Sequence, residues 1–173
     1  RARVVAGPAA LAEDVEALRQ EVIARDRDAG GLRKSVAEMR ARIAAAKAAG
    51  GPLDAKIGAG RLQDIELYAQ TCALIAGRPL REAPRALRLA DWLSKEDRTV
   101  LVDAYELFWA LQIGARLVSE EAIDPERLGT GGCAFLQRVT GASDMMALRS
   151  ELEAKAQRAA EIIDGDLPQT EGE

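Results

Sequence analysis

The sequence contains no histidine, few aromatic residues and no long apolar run, and each absence removes a class of function. Of its 173 residues, 48% are hydrophobic but only 3% are aromatic. Without histidine, Ser–His and Cys–His nucleophilic catalysis and Cys/His zinc spacing are excluded. No apolar run approaches the ~18 residues of a membrane helix, and no basic-then-apolar leader opens the chain. We therefore expect a cytoplasmic domain with an aliphatic core and no membrane contact.

Cysteine and charge exclude two further classes. Cys72 and Cys133 lie within helical patterns, which favours a reducing compartment over a disulfide framework. The net charge is −4, and residues 164–173 alone carry four acidic residues and no basic one, so the rest of the chain is balanced. A duplex binder needs a surplus of Lys and Arg on one face. No nucleic-acid partner is expected.

Apolar residues recur at steps of four and three through nearly the whole chain. This period predicts an all-α fold, an antiparallel helical bundle of about seven helices. Two such stripes open the chain and consist of Leu11, Val15, Leu18 and Val22, then of Leu32, Val36, Met39 and Ile43. Both stripes are interpreted as core faces that pair in an antiparallel hairpin across a turn at residues 28–31.

The remaining pattern predicts five further helices. A central one covers residues 62–76, a short one runs from Pro84 to Trp92, and a long one follows a Ser94 cap to about Ser119. A short helix begins at the glycines of residues 129–132. The last follows a cap at residues 143–144 and ends at Gly165; its inward residues are predicted to be Met146, Leu148, Leu152, Ala159 and Ile163.

These helices are predicted to form a single domain over residues 1–165. Residues 166–173 are predicted to be a disordered acidic tail, because they are too polar to pack. Phe108 and Trp109 could stack a base, but a sparse aromatic cluster in an aliphatic domain is more typical of the core.

Residues 56–66, Lys-Ile-Gly-Ala-Gly-Arg-Leu-Gln-Asp-Ile-Glu, carry the main chemical interest of the chain, and we call them the 56–66 segment. Gly58 and Gly60 can adopt φ > 0 and expose N–H groups beside Lys56, as a loop approaching a phosphate requires. Both common nucleotide-loop templates fail, however, since neither Gly-x-x-x-x-Gly-Lys-Ser/Thr nor Gly-x-Gly-x-x-Gly is present. A flexible connector with a solvated lysine is the alternative, and the local pattern favours it.

Two carboxylates follow these glycines. Asp64 and Glu66 are two residues apart, so on a helix their side chains diverge by about 200° and cannot jointly hold one metal ion. Asp64 is interpreted as a first-turn acid favoured by the helix dipole, and Glu66 as a surface or capping group.

The 56–66 segment resembles the Lys-Leu-Gly-x-Gly-Gly-Ile-x-Asp-Ile-Glu-Phe motif of the glutamine synthetase adenylyltransferase family. Residues 39–43 are similar to its Met-Arg-x-Arg-Ile helix, and residues 1–7 to the Arg-Ala-Arg-x-x-x-Gly-Asp stretch that leaves its nucleotidyltransferase core. The chain departs from the family at three positions: Arg61 replaces the second Gly of the Gly-Gly pair, Leu67 replaces Phe, and Pro8 replaces Asp.

The resemblance implies a helical domain that follows a nucleotidyltransferase domain of the same polypeptide. The parent enzyme would transfer AMP from ATP to a tyrosine of glutamine synthetase, with ATP and Mg²⁺ bound upstream by Gly-Ser and Asp-x-Asp motifs absent from this sequence. The chain alone is thus expected to be inactive and to bind no cofactor. The residues expected to face the nucleotide or active site are Lys56, Gly58, Gly60, Arg61, Asp64 and Glu66.

The two ends favour one module of that enzyme. The first residue is Arg rather than Met, and the acidic tail has no linker after it, which favours a piece from the C-terminal, adenylylating module. Two other functions stay open: a non-catalytic module that binds the PII signal protein or relays its state between catalytic halves, and a helical adaptor without a ligand.

Overall fold

The computed structural model describes residues 4–47, 51–120 and 123–169, and α-helix is its only regular secondary structure. The seven helices are α1 (Ala9–Ala24), α2 (Ala29–Ala46), α3 (Leu62–Ile75), α4 (Ala83–Leu87), α5 (Lys95–Val118), α6 (Pro125–Thr140) and α7 (Met145–Asp166). No strand occurs in these described ranges. The prediction of an all-α bundle of about seven helices is confirmed.

Helix α3 occupies the centre of the bundle, as predicted. It packs on α2, α4, α5 and α7. Ile65, Tyr68, Ala69 and Cys72 on this helix are almost completely buried. Aliphatic residues of α5 and α7 complete the core around it; among the fully buried ones are Leu101, Leu111, Leu148, Leu152 and Ile163.

Short polar side chains cap the N-termini of four of the helices, α2, α5, α6 and α7. Ser94 caps α5 by accepting a hydrogen bond from Asp97 N, and Asp144 caps α7 by accepting one from Ala147 N. Both caps were predicted. Asp28 caps α2 by accepting from the N–H groups of two glycines, Gly30 and Gly31, at 3.0 and 2.9 Å.

The Asp28 cap corrects the turn predicted at residues 28–31. The two glycines belong to the first turn of α2 rather than to a connection. A Cβ at Gly31 would lie 2.8 Å from the carboxylate of Asp28, so the absence of a side chain lets the cap close. The glycines that suggested a helix stop therefore allow a helix start.

The prediction that the first stripe is a core face is wrong. Leu11, Val15, Leu18 and Val22 are 59, 41, 57 and 40% exposed, and α1 buries no residue. Within the described residues α1 packs extensively on none of the other helices, so the predicted hairpin with α2 does not form. The second stripe is only partly covered, and its Met39 is exposed.

Three local predictions also need correction. Helix α4 ends at Leu87, short of the predicted Trp92, and α6 begins at Pro125 and bends at Gly129, where φ is 71°. Met146 is 79% exposed rather than inward. Phe108 is fully buried, which confirms its core role, whereas Trp109 is 47% exposed and stacks on Tyr105 with ring centroids 6.1 Å apart.

The packed part of the chain extends at least to Leu167. Asp166 closes α7 and Leu167 is buried, although both belong to the predicted tail. Residues 170–173 of that tail lie outside the described residues. None of the helices in the described ranges combines the length and the hydrophobicity that a bilayer crossing requires.

Candidate functional site

The 56–66 segment forms a loop that leads into the first turn of α3. Gly58 and Gly60 have φ angles of 136° and 65°, so both occupy the region that favours glycine, as predicted. Arg61, the N-cap residue of α3, has φ −88° and an extended backbone. A side chain is therefore tolerated at the position where the family has the second glycine of its Gly-Gly pair.

Most N–H groups of this loop already have acceptors within the protein. Leu62 N and Gln63 N each donate, at 3.1 Å, to the carbonyl oxygens of residues 55 and 56. Gly60 N donates to Asp64 Oδ2 at 2.8 Å. A phosphate cradle needs N–H groups that point at the ligand without a partner. The loop by itself therefore does not form a phosphate-binding site.

Gly60 is required by close packing on α7. A Cβ at this position would overlap the carbonyl oxygen of Ala156 and lie 2.6 Å from Ala160 N. The backbone of the loop thus lies directly on the backbone of α7, an approach that only glycine permits.

Asp64 holds the loop to two other elements through a nearly buried ion pair. Arg40 of α2 donates to both of its carboxylate oxygens, with Nε–Oδ1 2.6 Å and Nη2–Oδ2 2.9 Å, and the side chains of Asp64 and Arg40 are 9 and 16% exposed. Arg40 Nη1 also donates to Asp164 Oδ1 of α7 at 2.7 Å. Burial alone would lower the pKa of Arg40, but its bonds to the two carboxylates outweigh burial and raise the pKa. The guanidinium therefore connects α2, α3 and α7.

These hydrogen bonds determine whether Asp64 could bind a magnesium ion. Mg²⁺ takes carboxylate oxygens as direct ligands, whereas both oxygens of Asp64 are held by Arg40 and Gly60. Among the residues that the structure describes, no group of three or more His, Cys, Asp or Glu side chains could hold a metal ion. The segment does not fit Mg²⁺, and we derive no step through one.

A second polar cluster holds the C-terminal end of α7. The carboxylate oxygen Oδ2 of Asp166 accepts from Tyr68 Oη at 2.8 Å and from Arg33 Nε at 3.1 Å, and the Arg33 guanidinium lies 4.9 Å from the ring centre of Trp92. Burial raises the pKa of the Tyr68 hydroxyl far above its ordinary value and that of the neighbouring Cys72 thiol to about 12. A thiol held neutral in this way is inert as a nucleophile.

The loop separates two surface clefts. One, of about 300 Å³, is lined by α2, the loop and the end of α7, and includes Gly58 and Asp64. The other, of about 310 Å³, lies between the loop and the second half of α5 and includes Lys56 and Arg116. The structure does not bring the six predicted site residues into one cleft.

The side chains of the remaining candidates differ in their exposure and in their contacts within the chain. Arg61 Nη1 donates to the Asp54 carbonyl oxygen, and Glu66 is partly buried. Lys56 is exposed and makes no ion pair within the described residues. Of the six, Lys56 is therefore the side chain most able to meet a ligand or a second domain. Their active-site roles stay predictions.

Sequence reasoning missed Arg40 as the partner of Asp64, and Asp164 as the second carboxylate that Arg40 binds. Arg40 belongs to the stretch that is similar to Met-Arg-x-Arg-Ile, which was the available signal. The two motifs thus meet in space, and the cation of one neutralises the acid of the other.

The comparisons with known proteins agree with these motifs. The sequence model of the family described as GlnD PII-uridylyltransferase matches residues 30–164. The chain belongs to this family. No solved structure is significantly similar to it.

Several curated relatives carry one and the same description, bifunctional glutamine synthetase adenylyltransferase/adenylyl-removing enzyme. The protein of Nitrosococcus oceani is 36% identical over 70% of the chain, that of Rhodopseudomonas palustris strain BisB5 32% over 96%, and that of Rhizobium meliloti 29% over 95%. The chain spans only 14 to 18% of the length of these relatives. The resemblance found in the sequence motifs is confirmed.

Proposed function

We propose that the chain is the helical accessory domain of the adenylylation module of a glutamine synthetase adenylyltransferase. It packs against a nucleotidyltransferase domain of the same polypeptide, which transfers AMP from ATP to a tyrosine of glutamine synthetase. ATP and Mg²⁺ are bound by that other domain. This division of labour agrees with the chain's small share of its relatives' length and with the internal use of the Asp64 carboxylate.

The proposal rests on the fact that the chain matches two kinds of nucleotidyltransferase. The family model that matches it is described as PII-uridylyltransferase, whereas the relatives are described as adenylyltransferases of glutamine synthetase. The transferred nucleotide and the acceptor protein differ between these names, but transfer of a nucleotidyl group is common to both. A helical domain present in both therefore serves the transfer reaction rather than one acceptor.

The contribution of this chain would be a cation carried on a rigidly held loop. The Arg40–Asp64 pair and the contact of Gly60 with α7 fix the loop on three helices, and Lys56 extends from that fixed loop into solvent. A preorganised cation beside a transferring phosphoryl group stabilises the charge that develops there. Lys56 is the residue of this chain that we assign to that role.

A second function, of a different class, is a non-catalytic module that binds PII signal protein or relays its state between catalytic halves. The word PII in the family description favours it. Titration of the chain with purified PII separates the two, because saturable binding would support this second function and its absence would count against it.

The test of the main proposal uses the longer coding sequence that contains this chain. Upstream Gly-Ser and Asp-x-Asp motifs are expected, and the longer polypeptide should adenylylate glutamine synthetase while the present chain alone should not. A nucleotidyltransferase domain that is equally active after removal of residues 30–164 would contradict an accessory role.

A further inference from the structure

The stripe of four aliphatic residues on α1, which we call the α1 face, lacks a partner within the described residues. It consists of Leu11, Val15, Leu18 and Val22, all exposed. About half of each side chain is open to solvent, which is on the order of 300 Å² of contiguous apolar surface. A patch of this size is comparable with the largest apolar patch of a typical monomer, and such patches are often interaction sites.

Helix α1 is also weakly attached to its own domain. Two polar contacts join its side chains to the bundle: Arg19 donates to the Pro79 carbonyl oxygen at 3.3 Å, and Glu16 pairs with Arg81 at 3.1 Å. A 16-residue helix that buries no side chain is marginal in water, because most helical stability comes from the packing of an apolar face. The α1 face is thus the surface through which this helix can gain stability.

The family match separates α1 from the rest of the chain. The family model covers residues 30–164, which begin in α2 and leave α1 out. Relatives that align over 95 and 96% of the chain nevertheless include most of α1. Helix α1 therefore lies outside the part of the chain that the family model covers but inside the part that aligns with these adenylyltransferases.

Area and charge indicate what covers this face. Two copies joined through it would bury roughly 600 Å², which is well below the roughly 1,200 to 2,000 Å² of a stable specific interface. The same area is sufficient between tethered domains, whose interfaces begin near about 600 Å². Between Ala9 and Ala24 there are four acidic residues and one basic residue. Glu16 and Glu21 are already paired with arginines. A complementary covering surface is therefore apolar and carries basic residues opposite Glu13 and Asp14.

We propose that the α1 face is the surface on which the nucleotidyltransferase domain of the same polypeptide packs, an inference that rests on the proposed function. The bundle of α2 to α7 and the catalytic domain are then held together by α1 between them. The position of Lys56 relative to the catalytic domain depends on this contact.

Cysteine labelling tests the proposal without weakening the core. In a Cys133→Ser background, where the buried Cys72 is the remaining thiol, Leu18→Cys introduces a probe on the α1 face and Met146→Cys a matched control on α7. Maleimide labelling rates are measured in the present chain and in the longer polypeptide. We expect Leu18→Cys to label about tenfold or more slowly in the longer polypeptide, and Met146→Cys to label at the same rate in both.

The outcomes separate this inference from the proposed function. A longer polypeptide that adenylylates glutamine synthetase but labels Leu18→Cys as fast as the present chain does would overturn the inference alone. Slow labelling in the present chain, together with a dimer in sedimentation, would overturn it in favour of a second copy. An inactive longer polypeptide without a nucleotidyltransferase domain would overturn both.

Discussion

Helices α1 and α3 carry apolar residues at the same spacing but have opposite environments. On α3 the stripe of Ile65, Ala69 and Cys72 is buried beneath four neighbouring helices, whereas the α1 face is exposed. Periodicity shows that a helix has an apolar side, but it does not show which surface covers that side. The difference separates the part of the molecule that holds the bundle together from the part that is available for another domain.

The largest expected effect comes from truncating the same kind of residue on the two helices. Ile65→Ala should destabilise the chain by about 3 kcal/mol, because it leaves a cavity in a fully packed core. Leu18→Ala should change the free energy of unfolding by less than about 0.5 kcal/mol. Urea denaturation of both variants measures the contrast, and equal losses would mean that the α1 face is covered in the chain itself.

Substitution of acidic residues should show the same contrast in stability between the bundle and α1, with a slightly smaller effect. Asp64→Ala leaves Arg40 without its main partner at a nearly buried position, so the loss should be roughly 2 to 3 kcal/mol. The helix dipole alone would account for only a few tenths to about 1 kcal/mol. Glu13→Ala, an exposed change on α1, is the control and should be near neutral. A loss below about 1 kcal/mol for Asp64→Ala would refute a structural role for the ion pair.

A pH titration should loosen α1 before the core. The hydrogen bonds from Arg19, with a further one from Gln20, lower the pKa of Glu16 from 4.5 to about 2. A carboxylate with a lowered pKa contributes stability above its unfolded value, and that contribution disappears as the pH falls from about 4.5 through about 2. The protection factors of the α1 amides, which are corrected for the intrinsic exchange rate at each pH, should therefore fall progressively within this window, while those of the α3 amides are retained. Glu16→Gln should produce the same loosening at neutral pH, and unchanged α1 protection in that variant would contradict a role for this carboxylate in stabilising α1.

The smallest expected effect on stability is that of Lys56→Ala. Lys56 is exposed and makes no ion pair within the described residues, so unfolding should shift by about 0.5 kcal/mol or less. Thermal unfolding of Lys56→Ala and Asp64→Ala under the same conditions would show how differently these two residues of the 56–66 segment contribute to stability. A clear loss of stability would mean that Lys56 belongs to the scaffold.

Local features of the fold were predictable because neighbouring residues determine them. The caps at Ser94 and Asp144, the start of α3 at Leu62 and the positive φ angles of Gly58 and Gly60 all followed from short-range chemistry. The Gly30–Gly31 pair misled because a carboxylate two and three residues earlier turned a stop signal into a cap.

Contacts between distant residues were not predictable in this way. The Arg40–Asp64 pair joins residues 24 positions apart, and the approach of Gly60 to Ala156 joins a loop to the last helix. No spacing in the sequence encodes either contact. The family resemblance drew attention to Gly60 and Asp64, but it did not predict the packing and the ion pair by which the structure accounts for them.

The most direct test of the role proposed for Lys56 is to measure the adenylylation rate of the longer polypeptide with Lys56→Ala, and to compare it with that of Lys56→Arg. Both rates are measured below the unfolding temperature. We expect the alanine variant to lose about tenfold or more in turnover, equivalent to ~1.4 kcal/mol, with unchanged unfolding, and the arginine variant to retain much of the rate. Normal turnover in Lys56→Ala would show that the 56–66 segment is a connector and would contradict the assignment of a catalytic-domain-facing cation to this chain.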